Sequence, residues 1–482
     1  MHTAASLLAG AALLATAAAS PLWDYVNTPD DTYKWVDTGF RYNETGWTGY
    51  MLNLTSQTWL SPADSSRSVW THQLLVVIPD NLTDTAHANI YATGGDNNNP
   101  HPPSATDEDV LAAALTAIST GTISCTIWQI PNQPIVFPSD PAHKERSEDH
   151  AVAWTWLQYL ATDDPNWIIY FPMVKSVIRG MDAVDAFAAK KAGVHLRKWM
   201  IYGASKRGWT TWLAGAVQDP RVMGIAPIVM DMLNFTHNVP HMYEAYGGWT
   251  FAFEPYWVLN ITELIGTPQL PKLASFFMPD DDYYWWGDLP GETLRLMIQN
   301  AEHTMATGVL ELLPGLWGFY VSLMQDVPRP SFTWDIAPGT GDITITVDAS
   351  PVLPSKVTLW DSTTLNTTRR DFRLVQGDTP INPCHWIPVK IFGNSCIVPQ
   401  LWGGEEVKPV SNNYDESGAL TSVVYKLSRP MPEAGWTGFL GELEFPGPAN
   451  QTFILTTQVS IIPQTLPFPN CGTGKACIGG LL

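Results

Sequence analysis

Between residues 85 and 320, short runs of consecutive apolar residues alternate with longer stretches of helical periodicity. His87–Thr93 and Thr122–Ile130 read as strands, as do Lys198–Tyr202 and the nearly unbroken apolar run Val222–Met230. Between them, Ser147 stands where a helix N-cap is expected, ahead of Glu148 and Asp149 in the first turn of a helix reaching Leu160. A second helix runs from Val174 to Lys191 and stops at Gly193, and a third spans Lys206–Val217. Strands apolar on both faces and separated by helices predict a mostly parallel sheet covered by helices on both sides, an α/β domain over residues 20–326. Beyond residue 327 the period changes. Asp342–Val347, Ser422–Tyr425 and Phe453–Ile461 alternate with period two, Gly and Pro punctuate the runs, and helical periodicity is gone. Residues 327–482 therefore predict an all-β, sandwich-like module of immunoglobulin-like architecture.

The first residues carry a different signature. Leu7–Leu14 is a short apolar stretch followed by Ala15-Thr16-Ala17 and Ala17-Ala18-Ala19, so residues 1–19 read as a secretory signal peptide. That run is too short to cross a bilayer, and no other stretch approaches roughly 18 uninterrupted apolar residues. The expectation is a secreted, extracellular chain with no membrane span after signal removal. Asn-x-Ser/Thr sequons at Asn43, Asn53, Asn81, Asn234, Asn260, Asn366 and Asn450 predict a glycosylated exterior. Of the five cysteines, Cys125 lies in an apolar run and reads as buried and free. Cys384, Cys396, Cys471 and Cys477 allow two bridges in three connectivities, of which Cys384/Cys396 and Cys471/Cys477 close the shortest loops. No Cys-x-x-Cys pair or clustered His points to a metal, and no cofactor is implied. With 26 Lys and Arg against 46 Asp and Glu, the net charge of −20 repels phosphate and argues against a nucleic-acid partner.

Candidate chemistry concentrates in Lys198–Gly208, which places Ser205 on a turn between a β-rich run and a helix. Gly203 and Gly208 relieve crowding where the chain reverses, a geometry that exposes a hydroxyl beside helix N-terminal N–H groups. The pattern Gly-x-Ser-x-x-Gly is one residue longer than the usual nucleophile elbow, and a plain helix N-cap is the alternative use of such a serine. A nucleophilic Ser needs a base, and His303 follows the apolar run Leu294–Ile298 at a strand-to-loop position, where an α/β-hydrolase presents its histidine. The oxyanion donors would be the Lys206 N–H and a group near Gly95 or Asp96. Lys206 and Arg207 would add positive charge toward substrate, with neutralisation by Glu148 or Asp149 as the structural alternative. Tyr283, Tyr284, Trp285, Trp286 and Trp249 suggest an aromatic mouth suited to flat faces.

Gly203–Trp212, Ile225–Val229, Thr93-Gly94-Gly95, Trp285–Gly291 and Asn300–His303 resemble the PhoPQ-activated pathogenicity-related protein family. The resemblance covers most of the mature chain and implies an α/β-hydrolase-like domain followed by a β module, with no established substrate. In that family the strand before Phe-Phe-x-Pro-Asp ends in Gly-Asp-Glu, whose Asp is the expected triad acid. Here Pro271–Ser275 runs straight into Phe276-Phe277-Met278-Pro279-Asp280, so that acid is missing. Asp280, with Asp281 and Asp282, and Asp231 at the end of the preceding strand are the conceivable substitutes. The sequence thus predicts a serine hydrolase of esters or amides, acting on a small-molecule, peptide or glycan substrate through Ser205 and His303. The alternative is a non-catalytic signalling or glycan-binding protein on the same scaffold.

Overall fold

A seven-stranded sheet in the order β1-β2-β3-β5-β4-β6-β7 organises the first part of the chain. Its strands are β1 (Lys34–Glu44), β2 (Trp47–Thr58), β3 (Val69–Pro79), β4 (His87–Ala92), β5 (Ile123–Ile127), β6 (Lys198–Ala204) and β7 (Val222–Ile228). In this computed structural model the described residues are 20–267, 278–305, 307–385, 387–391 and 395–482. The expected signal peptide and the junction at residues 271–277 lie outside them. Strands β5, β4, β6 and β7 run parallel, and β1–β3 add antiparallel strands at one edge, with β3 antiparallel to β5. The α/β expectation holds in the parallel part. The leading antiparallel strands escaped it because β1 is largely exposed and shows no apolar run.

The parallel strands are apolar on both faces because each face meets its own helices. In β6, Trp199 and Ile201 enter one core with α4 (Tyr170–Ala192) and α5 (Lys206–Ala216). Met200 and Tyr202 point the other way, onto Leu316 and Tyr320 of α8 (Val309–Gln325). The other α-helices among the described residues are α1 (Pro21–Asn27), α2 (Glu108–Thr120), α3 (Glu148–Thr162), α6 (Phe235–Tyr246) and the short α7 (Glu254–Trp257). Ser147 occupies the N-cap position of α3, although its side chain makes no capping bond. Gly193 ends α4 in the left-handed conformation, with φ +70°.

The second part is built from short antiparallel strands. The four-stranded sheet contains β8 (Phe332–Ile336), β9 (Ile343–Asp348), β15 (Ser411–Tyr414) and β16 (Leu420–Leu427). The five-stranded sheet contains β10 (Lys356–Thr363), β14 (Gly403–Glu406), β17 (Thr437–Pro446), β18 (Thr452–Thr456) and β19 (Ser460–Ile462). Alternate residues of β9 and β16 pack on those of β10, β17 and β18, giving a two-layer sandwich core. A three-stranded sheet of β11 (Val375–Gly377), β12 (Ile387–Ile391) and β13 (Ser395–Ile397) stands beside it. The shortest-loop cysteine pairing is observed: Cys384–Cys396 and Cys471–Cys477 are bonded, and Cys125 is free and buried. The chain end returns to the first domain. Trp249 N–H donates to Gly480 O at 2.9 Å, and Leu482 N–H donates to Trp249 O at 2.7 Å.

Candidate active site

Ser205 follows β6 directly and stands at the N-cap position of α5 with φ +59° and ψ −127°. Such a conformation costs a non-glycine residue on the order of 1–3 kcal/mol and needs support. Its N–H donates to Ile228 O at 2.9 Å, while its carbonyl accepts from Trp209 N–H at 3.1 Å. Two flanking glycines make the reversal possible. A Cβ on Gly203 would lie 2.8 Å from Arg207 O, and one on Gly208 would lie 2.6 Å from Ile228 O. The hydroxyl does not cap α5. Instead, Ser205 Oγ lies 2.9 Å from His303 Nε2.

His303 reaches this position by a route the sequence does not suggest. The run Leu294–Ile298 is not a strand of the sheet, which corrects the expected strand-to-loop placement. It lies along β18 of the sandwich: Thr456 N–H donates to Arg295 O at 2.7 Å, and Met297 N–H donates to Thr456 Oγ1 at 2.9 Å. Beyond it, Asn300 Nδ2 donates to Trp402 O at 3.0 Å and Asn300 Oδ1 accepts from Trp402 N–H at 2.8 Å. The β module therefore holds the loop that carries His303. Desolvation and the Lys206 charge lower the His303 pKa to about 4, with Asp149 and Glu302 pulling it upward. The imidazole is neutral at physiological pH, as proton acceptance requires.

Lys206 and Arg207 are turned inward and paired. Lys206 Nζ lies 2.7 Å from Glu148 and 3.1 Å from Asp149, both in the first turn of α3. Arg207 makes a bidentate pair with Glu148 at 2.8 and 2.7 Å and also donates to Ile130 O. Burial would raise the Glu148 pKa, yet the Arg207 and Lys206 charges hold it well below the ordinary range. Both side chains are thus neutralised by the first turn of α3, as the structural alternative expects. Asp149 also accepts from Tyr256 OH at 2.9 Å. The sequence offered Asp149 as a helix-start acid and as a neutraliser of Lys206 and Arg207, but not as a charge acting on His303, which depends on how α3 docks on α5.

The Gly94–Asn99 turn leaves β4 where Ala92 pairs with Gly203 of β6, so Gly95 and Ser205 emerge at the same end of the sheet. The turn is tied to its neighbour: Gln129 N–H donates to Gly94 O and Asn97 N–H donates to Gln133 O, each at 2.8 Å. Gly95 has φ +136°, and a Cβ there would meet Gln129 N at 3.3 Å. The Lys206 N–H belongs to the first turn of α5, where backbone donors lack intrahelical acceptors.

Of the expected substitute acids, Asp280, Asp281 and Asp282 are paired with other groups. Asp280 pairs with Arg370 at 2.9 Å, and that charge, with His241, holds its carboxyl down to about 2 despite burial. Asp281 lies 3.1 Å from His241 Nδ1 and accepts from Met278 N–H at 2.6 Å. Asp282 pairs with Arg295. Asp231 faces Asp281, Asp282 and Arg295; burial and the two carboxylates push its pKa well up. The aromatic set also divides. Trp249 is fully buried and donates to the Cys477 and Ile478 carbonyls, Tyr283 is 76% exposed, and Trp286 packs on Trp334. Only Trp285 of this set lines a cavity beside α5. Asn43, Asn53, Asn81, Asn260 and Asn450 are exposed, whereas Asn234 and Asn366 are half-buried.

The pattern of the family described as PhoPQ-activated pathogenicity-related protein matches residues 22–276 and 274–373. The two stretches overlap at residues 274–276, beside Phe276-Phe277-Met278-Pro279-Asp280. Autocrine proliferation repressor protein A of Dictyostelium discoideum is 36% identical over 505 residues, covering 97% of this chain and 95% of that protein. Among solved structures, a glucuronoyl esterase from Solibacter usitatus is 13% identical over 45% of this chain and 58% of its own, with a TM-score of 0.28. An S-formylglutathione hydrolase from Agrobacterium tumefaciens is 12% identical over 39% and 60%, with a TM-score of 0.24. The chain spans less than two thirds of either solved structure.

Proposed function

The chain belongs to the PhoPQ-activated pathogenicity-related protein family, and from that premise we propose that it is a secreted serine hydrolase acting on an ester or amide through Ser205 and His303. The observation that carries this reading is the 2.9 Å approach of His303 Nε2 to Ser205 Oγ at a strained strand-to-helix turn. In the reaction, Nε2 accepts the hydroxyl proton as Oγ attacks the carbonyl. The Lys206 N–H and a donor from the Gly94–Asp96 turn face the developing oxyanion. The imidazolium returns its proton to the leaving group, and water then cleaves the acyl-enzyme by the same exchange. The carboxylates whose charges reach His303 are Asp149 and Glu302. Asp149 also neutralises Lys206, so its help to the imidazolium is shared. Replacing the triad acid of serine proteases costs about 10⁴ in turnover. This chain is accordingly a slow hydrolase, and a Gly-Asp-Glu strand end restored before Phe276 raises its turnover.

The interrupted family match favours a second reading, a non-catalytic secreted signalling protein, and the Dictyostelium relative is by name an autocrine proliferation repressor. A fluorophosphonate probe separates the two. The hydrolase reading expects labelling of the secreted protein that disappears in Ser205→Ala. Folded protein that takes no label over hours sinks it. N-terminal sequencing of secreted material tests the signal peptide, and a glycosidase mobility shift tests the sequons.

A further inference from the structure

The buried Arg207 side chain reaches from the nucleophile turn to the turn that would complete the oxyanion site. Its guanidinium pairs with Glu148 at 2.8 and 2.7 Å and donates from Nε to Ile130 O. Its Nη2 also lies against Gly94: a Cβ built there would stand 2.9 Å from Nη2 and 3.5 Å from Glu148 Oε1. Ile130 N–H donates in turn to Thr93 O at 3.1 Å, and Gln129 N–H donates to Gly94 O at 2.8 Å. Glu148 closes the circuit through Gln133. The Glu148 N–H donates to Gln133 Oε1 at 2.8 Å, Gln133 Nε2 donates back to Glu148, and the Gln133 N–H donates to Asn97 Oδ1 at 2.9 Å. One side chain, two residues after Ser205, therefore joins the nucleophile turn, the Gly94–Asn97 turn and α3.

Neutralisation alone does not account for this arrangement, because the Lys206 ammonium already meets Glu148 at 2.7 Å. The network also holds three non-glycine residues at positive φ: Ser205 at +59°, Gln129 at +56° and Glu148 at +53°. Such conformations persist where the surroundings over-determine them, and they gather at functional sites. The carbonyls of Thr93 and Gly94 are the groups held, and among the described residues the Gly95 and Asp96 N–H groups have no backbone acceptor. We propose that Arg207, acting through Glu148 and Ile130, is a positioning residue that fixes the Gly95–Asp96 N–H groups relative to Ser205. The inference rests on the reading of Ser205 as nucleophile. A planar guanidinium fork sets direction as well as distance, which the point charge of a lysine does not. Donors fixed in advance need no reorganisation when the oxyanion forms.

The test compares Arg207→Lys with the parent chain. Lysine keeps the positive charge, so the field at His303 is preserved while the fork is lost. Hydrogen exchange of the peptide covering residues 93–99 is expected to quicken at least about tenfold, with β6 unchanged, and fluorophosphonate labelling of Ser205 to reach completion at least about tenfold more slowly. With p-nitrophenyl acetate, kcat is expected to fall by the same factor and KM to stay within about twofold. Asn97→Ala acts on the half-buried far end of the turn and is expected to move both readouts the same way by a smaller factor, so the test survives if Arg207→Lys fails to fold. Arg221→Lys breaks a comparable fork to Asp219 and Asp182 beside the start of β6, away from Ser205 at its end, and is expected to lower the melting temperature without slowing labelling. The proposal is overturned if turn exchange in both variants matches the parent, or if exchange quickens while the labelling rate holds. A smaller labelled fraction at the parent's rate overturns it too, because that is the mark of unfolding alone. A parent that takes no label overturns the hydrolase reading instead, and turn exchange then decides by itself whether Arg207 holds the turn.

Discussion

Lys206 places an ammonium beside the imidazole that must accept the Ser205 proton. Desolvation and this nearby positive charge both disfavour protonation, so His303 stays neutral down to about pH 4. Activity that needs the neutral ring is lost as pH falls through that value and is flat above it. Lys206→Met removes the charge and frees Asp149 to act on the ring, so the acid limb of kcat/KM for an activated ester is expected to move up by about one to two pH units. An unmoved limb would show that desolvation alone sets the value. Gly208 carries the complementary steric prediction. Its absent Cβ would lie 2.6 Å from a backbone oxygen that cannot rotate away. Gly208→Ala is therefore expected to lower stability by about 1–3 kcal/mol and to slow fluorophosphonate labelling, read by denaturant titration and gel fluorescence.

At the level of elements, the segment from Leu294 to His303 decides whether the candidate pair exists. It packs on β18 and Trp402 of the sandwich, and has no place in the sheet that carries Ser205. The two halves of the pair thus come from different layers of the molecule, and their distance depends on how those layers dock. Asn300→Ala removes both hydrogen bonds to Trp402, at about 0.5–1.5 kcal/mol each. The labelling rate of Ser205 is expected to fall several-fold with the thermal midpoint only slightly lowered. A labelling rate equal to that of the parent would mean that the His303 loop is held by other contacts.

Across the whole molecule, the seam between sheet and sandwich is acidic on one side. Asp231, Asp280, Asp281 and Asp282 meet His241, Arg295 and Arg370 there. Asp231 is the poorly served member: its Oδ1 has no hydrogen-bond partner, and burial with Asp281 and Asp282 pushes its pKa well above the usual value. A carboxyl raised on folding contributes stability below its unfolded pKa of about 4, and that contribution is lost as pH rises through the folded value. At neutral pH Asp231→Asn is therefore expected to stabilise the protein, with little effect at pH 3.5. Ser205 labelling should be unaffected. A loss of labelling would instead make Asp231 the acid that orients His303. The Asp280, Asp281 and Asp282 to Asn changes are expected to loosen the seam and lower the melting temperature without a specific effect on Ser205.

Several features were fixed by local chemistry and so were legible in the sequence. Strands β4 to β7 announce themselves because burial on both faces demands apolar runs. The Ser205 turn does so because close backbone approach demands Gly203 and Gly208, and the cysteine pairs do so because their loops are short. The period-two alternation after residue 327 follows from sheets with one buried face. Other features depended on docking, which leaves no local mark. The pairing of Lys206 and Arg207 with Glu148 and Asp149 was one of two alternatives the sequence left open, and the docking of α3 against α5 decided that these contacts form. The diversion of Leu294–Ile298 onto the sandwich required a partner strand more than 150 residues away, Thr452–Thr456. Long-range contacts of this kind are set by which surfaces are left uncovered once the local elements exist, and only the tertiary structure contains that information.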